Sequence, residues 1–183
     1  RLEQAPTGQY RAVFDTSAPS FVLGQYHVVV NGAPADASHR LASTLLLETV
    51  SQRFRLTLGR VKTTQGMAVG LTAGVPLRSD EIGAWNQAQL RRWHQCGTFT
   101  PEQAVLFQCY RGETATDNQL AIHTELVRRQ STLPLYWGVH DMDVDLPFAG
   151  LPVLIGSRRW YELLSTSSYL CNNIDFDRFF VRR

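Results

Sequence analysis

Four polar clusters in the second half of the chain carry residue types that can do chemistry: Arg111-Gly112-Glu113, His140-Asp141, Gly156-Ser157 and Asn172-Asn173. Arg111 stands beside a flexible glycine and shortly before a helix start at Thr116 or Asp117. There a guanidinium fork and free backbone N–H groups can receive a phosphate. The same arginine reads equally as half of a structural ion pair. Asn172 and Asn173 can orient a polyol or a phosphate, or can satisfy the backbone of their own turn.

Other chemistries lack their residues. Asp141, Asp143 and Asp145 suggest a calcium loop, yet Leu146 and Pro152 stand where the loop needs its glycine and closing glutamate. His94 and Cys96 alone make no zinc site, which takes four ligands. His123 falls on the inner face of a helix and reads as a satisfied core histidine. No Gly-x-Ser-x-Gly elbow is present, and the glycines are too few for a dinucleotide fingerprint or a P-loop. The residues by themselves therefore give a phosphate half-site with no catalytic group, no metal and no cofactor.

Each cluster closes a short apolar run: Val105 to Tyr110, Leu135 to Val139, Val153 to Ile155, and Tyr169 to Cys171. Helical periodicity fills the gaps, with Leu120, His123, Leu126 and Val127 facing inward up to Arg129, and a further helix over 158–165. Alternating strands and helices imply a parallel, doubly wound layer with right-handed crossovers, and such sheets bind ligands beyond the carboxyl ends of their strands. The first half reads differently. Period-two alternation predicts a small antiparallel β module with strands near 10–16, 25–31, 39–48, 54–63 and 67–73. Asn31-Gly32 has hairpin chemistry, but the distance to the next expected strand argues against a two-residue turn. A helix over 80–95, with Ile82, Trp85, Gln89 and Trp93 near one face, is expected to connect and pack the two units. The expected fold is thus α/β, with an antiparallel module at 1–78, a connector helix at 79–101 and a Rossmann-like half-lobe at 102–183.

Composition sets the class. The chain has 183 residues, 44% hydrophobic and 19% charged, enough to bury a core. A net charge of +2 is too small for a nucleic-acid footprint, although every basic residue except Lys62 is arginine. Three cysteines, Cys96, Cys109 and Cys171, are widely spaced and predict buried thiols in a reducing compartment. No apolar run approaches the roughly 20 residues of a membrane span.

The run Ala104 to Gly112, then Asp117-Asn118, Leu135 to Gly138, Gly156-Ser157, and Tyr169 to Asn173 with Phe176, Phe179 and Arg182-Arg183 resemble the CDP-glycerol glycerophosphotransferase family of teichoic-acid polymerases and primases. The likeness covers about residues 102–183, and the closing segment is its most specific part. The β module and tryptophan helix resemble, more weakly, a region that precedes this domain in large actinobacterial members.

The resemblance implies a glycosyltransferase-B-like, metal-independent enzyme at the cytoplasmic face of the membrane. It would move glycerol phosphate from CDP-glycerol to a lipid-linked polyol-phosphate acceptor. It further implies that Arg111, Gly112, Asn118, Ser157, Asn172 and Asn173 line the interlobe cleft as substrate-binding residues. The family's His-Gly motif and its donor pocket would lie beyond Arg183, so the chain is expected to be an inactive piece of the transferase. Two other readings stay open, a nucleotide-binding oxidoreductase lobe and a non-catalytic interaction protein carrying a relic lobe.

Overall fold

The structure, a computed structural model, describes residues 2–4, 10–12, 18, 20–30, 33–35, 47–63 and 66–181. Two compact units are present, one of residues 1–49 with 54–74 and the other of residues 50–53 with 75–183.

The first unit is built from antiparallel strands. Short strands β1 (Leu2–Gln4) and β2 (Tyr10–Ala12) pair with each other. β3 (Gly24–His27) is followed by β4 (Val29–Val30) and β5 (Ala33–Pro34), then β6 (Leu47–Val50), β7 (Arg55–Thr63) and β8 (Gly66–Gly74). The main sheet runs β3-β8-β7-β6, and Phe21, Phe54, Leu71 and Ala73 form its core. β4 and β5 pair with Val30 opposite Ala33, which corrects the expectation of no two-residue connection there. The gap before the next long strand holds a two-residue strand, Ala33–Pro34, too short to show as period-two alternation. Expected strand residues 13–16 and 39–46 lie outside the described residues.

The second unit alternates as the apolar runs require. After α1 (Ala84–Cys96) come β9 (Glu102–Gln108), α2 (Asp117–Arg128), β10 (Leu135–Val139), β11 (Gly150–Leu154), α3 (Arg158–Thr166) and β12 (Ser167–Asn172). All three pairings are parallel, in the order β11-β10-β9-β12. β9 is central, and its residues sort by period two. Val105 and Phe107 pack with Trp137 and Val139 in one cluster, joined by Leu120, Leu126 and Val127 of α2. Leu106 packs in another with Leu90 of α1 and Trp160, Tyr161, Leu163 and Leu164 of α3. Helices therefore cover both faces of the sheet.

One polar chain runs through the α2 side. Trp137 Nε1–H donates to His123 Nδ1 at 3.1 Å, and the other ring nitrogen of His123 lies 2.9 Å from the Phe148 carbonyl. The first bond makes Nδ1 the acceptor and leaves Nε2–H as the donor, so both ring nitrogens of His123 are satisfied.

The expected helix over 80–95 divides. Residues Ser79–Glu81 form a separate turn, Gly83 takes φ of 89°, and α1 starts at Ala84. The division frees the Glu81 carboxylate to accept from the backbone N–H of Arg78 at 2.8 Å and of Arg158 at 2.7 Å. Trp93 packs edge-on to Phe99 beneath the Arg158 guanidinium, but Trp85 is 75% exposed, which corrects its placement on the packed face. Cys96 is exposed too, against the expectation of three buried thiols, while Cys109 is buried and Cys171 half-buried. An intervening turn shifts the helix relative to the periodicity read from Asp80.

Trp137→Phe is expected to destabilise the chain by about 1–3 kcal/mol, because it leaves the buried His123 acceptor unpaired. An unchanged urea midpoint would contradict this. Arg128 first, then Arg129, hold the Glu125 carboxyl down at about 2, against a usual 4.5. A depressed carboxylate stabilises the fold above its unfolded value, and that contribution disappears as pH falls toward 2. Carboxyl-carbon NMR should place the Glu125 midpoint near 2 and show it returning toward 4.5 in the Arg128→Ala, Arg129→Ala double variant.

Candidate functional site

From β9 the chain moves outward through β10 to β11, then crosses back so that β12 pairs on the other side of β9. The strand order reverses between β9 and β12. In open α/β sheets the ligand crevice lies at such a point, outside the carboxyl ends of the strands. The residues here are Gln108 to Gly112 on one side and Asn172 and Asn173 on the other.

β9 ends at Gln108, two residues before the expected Tyr110, because the backbone changes hand. Tyr110, Arg111 and Gly112 take φ of 44°, 58° and 86° in succession. A left-handed non-glycine residue costs roughly 1–2 kcal/mol, so the turn must be held from outside. Gly112 N–H donates to the Cys109 carbonyl at 2.8 Å, and the Gly112 carbonyl accepts from His140 N–H at 3.0 Å. Gly112 is buried, and a Cβ there would stand 2.5 Å from Ile155 Cδ1 and 2.9 Å from the Gly138 carbonyl oxygen. Its position demands a glycine and presents no surface to a ligand.

Asn173 supplies the remaining hold. Its Oδ1 accepts from Tyr110 N–H at 2.9 Å, while its Nδ2 lies 3.1 Å from Asp117 Oδ2 and 3.3 Å from Cys109 Sγ. Asp117 is also left-handed, with φ of 62°, at the start of α2. Thr116 is the N-cap residue, yet its side chain caps nothing and instead meets Thr114 and Cys109. Donation from Asn173 first, then from the Asn118 backbone, holds the Asp117 carboxyl below its ordinary range. The Tyr110 hydroxyl, 3.4 Å from Asp117, is raised in turn by that negative charge. Asn118 is exposed, and its N–H closes the same cluster.

Arg111 stands apart from these bonds. The residue is exposed, and its guanidinium makes no hydrogen bond or ion pair with any described residue. It lines a cavity of about 170 Å³ with Gln108, Ile155, Trp160, Asp175 and Asp177, together with Phe176, Phe179 and Phe180. Trp160 Nε1–H donates to Gln108 Oε1 at 3.2 Å, fixing the wall nearest β9. Asn172 lies opposite Gln108 in the ladder, and both ends of its side-chain amide are buried without a partner among the described residues. An unpaired buried polar group costs about 1–3 kcal/mol, so this amide is a strong demand for a bonding partner.

Ser157 is engaged inside the fold. Its Oγ caps α3 by accepting from Trp160 N–H at 3.2 Å, and donates to the Leu154 carbonyl at 2.7 Å. The neighbouring turn is pinned by Gln87, whose amide donates to the Gly156 carbonyl at 2.8 Å. Among the residues read from sequence, Arg111, Asn118, Asn172 and Asn173 gather around the β9–β12 crevice. Gly112 and Ser157 shape its neighbouring loops. Sequence reasoning passed over Gln108, Asp117 and Trp160. Asp117 stands in the sequence as a capping alternative and as part of the Asp117-Asn118 match, not as a site residue, and nothing in the spacing signals the indole bond to Gln108.

Two carboxylates of the aspartate-rich loop are engaged by protein groups. Asp141 Oδ1 accepts from Asp143 N–H at 2.7 Å, and Asp143 takes the Arg53 guanidinium in a fork at 2.5 and 2.9 Å. Among the described residues no group of three or more His, Cys, Asp or Glu is placed to hold a metal. No described helix is long and apolar enough to cross a membrane.

No curated protein matches the chain. The solved structure of the wall teichoic acid polymerase TagF is similar to 53% of this chain at 13% identity, with a TM-score of 0.49. A variant of that polymerase matches with the same score. The chain spans about a quarter of the polymerase's length, 25% and 24% in the two structures. The profile of the family described as CDP-glycerol:poly(glycerophosphate) glycerophosphotransferase matches residues 90–183, more than half of the sequence. The crevice therefore sits inside the matched region, and the chain belongs to the CDP-glycerol:poly(glycerophosphate) glycerophosphotransferase family.

Proposed function

We propose that this chain supplies one wall of the active-site cleft of an enzyme that transfers glycerol phosphate from CDP-glycerol to the hydroxyl end of a lipid-linked polyol-phosphate polymer. The single observation that carries the reading is Arg111: an exposed guanidinium, unpaired among the described residues, at the point where strand order reverses, within the segment matched to the family. In this reading residues 102–183 are the N-terminal Rossmann-like lobe of a glycosyltransferase-B-like domain. Residues 1–78 form an accessory β module, and 79–101 join the two. The enzyme works at the cytoplasmic membrane face through peripheral contact, without a metal.

The step is phosphoryl transfer. The acceptor hydroxyl oxygen bonds to the β-phosphorus of CDP-glycerol, the bond from that phosphorus to the bridging oxygen breaks, and CMP leaves with the electron pair. Such reactions need little covalent help from protein and depend on positioning and charge stabilisation. Arg111 binds a phosphate of the polyol-phosphate chain through a charge-assisted fork. The Asn172 amide turns to a phosphate or hydroxyl oxygen at the strand end, gaining the partner it lacks. Asn118 and Asn173 frame the same crevice, and Gly112 and Ser157 hold the loops beside it. A facing lobe binds the donor nucleotide and supplies the base that accepts the hydroxyl proton.

In the intact transferase containing this chain, Arg111→Ala should lower kcat/KM for polymerisation by roughly 10–100-fold, the scale of one charged hydrogen bond. Asn172→Ala should act in the same direction, and unchanged kinetics in both variants would refute the assignment. The present chain alone is expected to release no CMP from CDP-glycerol. Detection of CMP by chromatography would overturn the division of labour between lobes.

A further inference from the structure

Asn173 sits among the strand-end polar residues, but its bonding differs from that of its neighbour Asn172. The Asn172 amide is unpartnered among the described residues, whereas both ends of the Asn173 amide are engaged on three residues of the opposite side, Tyr110, Asp117 and Cys109. Those bonds join the end of β12, the turn after β9 and the first residue of α2. Two of the tethered residues, Tyr110 and Asp117, are non-glycine residues in the left-handed region, as is Arg111 itself. Such conformations persist only where the surroundings over-determine them, and they concentrate where a side chain must be aimed. The residue aimed by this turn is Arg111, whose guanidinium has no partner among the described residues.

We propose that Asn173 and Asp117 form a positioning pair, which locks the left-handed turn at Tyr110 and Arg111 and so holds the Arg111 guanidinium over the crevice, ready for the phosphate of a polyol phosphate. The pair acts through Arg111 and does not itself touch substrate. This rests on the reading of Arg111 as a phosphate-binding residue. The advantage is preorganisation: a guanidinium already held in place loses less freedom when the ligand arrives.

The hydrogen bond has a direction, which gives the test its handle. Asn173 Nδ2 donates and the Asp117 carboxylate accepts. Asn173→Asp sets two carboxylates against each other while still offering an acceptor to Tyr110 N–H. Combining it with Asp117→Asn restores a donor and an acceptor with their roles exchanged. The experiment uses the full 183-residue chain. Glycerol 3-phosphate is titrated while the Arg111 side-chain Nε–H signal is followed, and backbone relaxation is measured without ligand.

In Asn173→Asp the Arg111 backbone order parameter should fall from about 0.85 to below about 0.6. Affinity for glycerol 3-phosphate should fall about tenfold, the net scale of one hydrogen bond. The double variant should recover both. A purely structural lock would lower the thermal midpoint without touching Arg111 order or phosphate affinity in the folded protein, and that result overturns the proposal. If Asn173→Asp does not fold, recovery of folding, order and affinity in the double variant supports the pair, and failure to recover them overturns it. If the parent chain binds no glycerol 3-phosphate but Arg111 order still depends on the pair, the positioning role stands and the phosphate reading falls.

Discussion

The structure of the second unit depends on one constraint: β9 pairs in parallel on both sides, with β10 on one and β12 on the other. Parallel neighbours cannot be joined by tight turns, so each pairing requires a crossover. The chain places α2 over one face in leaving β9 and α3 over the other in returning. A central strand covered on both faces must be apolar throughout, and Ala104 to Phe107 are all buried, at 2% exposure or less. The same topology leaves the carboxyl ends of β9 and β12 side by side with no crossover between them. The crevice follows from the strand order, and the polar residues at the strand ends are where they are because the apolar runs stop there.

Much of this was legible in the sequence, because its signals were periodic. The four apolar runs and the helical stripe of Leu120, His123, Leu126 and Val127 locate the layer, and His123 proves to be the satisfied core histidine that its position suggested. Boundaries were less legible. Strand β9 stops early because Tyr110 and Arg111 adopt a backbone hand that no residue preference announces. The tryptophan helix starts late because Glu81 turns inward to two backbone N–H groups, one of them 77 residues along the chain. Local spacing carries no record of a partner so distant.

The site was legible as a list of positions and illegible as a division of roles. Arg111, Asn172 and Asn173 are equivalent in the sequence, each a polar residue at a strand end. Folding separates them by what each finds nearby. Asn173 meets a backbone donor, a carboxylate and a thiol, whereas the amide of Asn172, one residue earlier, meets no partner among the described residues. Ser157 differs for another reason, since a serine just before a helix finds orphan N–H groups to cap.

The Glu81 bond to Arg158 N–H also bears on the electrostatics of the crevice. Helix N-termini carry partial positive charge and commonly serve as anion sites. Here both crossover helices have that end answered by a carboxylate of the protein itself, Glu81 at α3 and Asp117 at α2. The backbone field that α/β proteins often turn on phosphates is thus already neutralised from within. On the proposed reading, attraction for an anion at this rim rests on the Arg111 guanidinium, whose reach is set by the ionic strength around it and shrinks to about 8 Å in physiological salt.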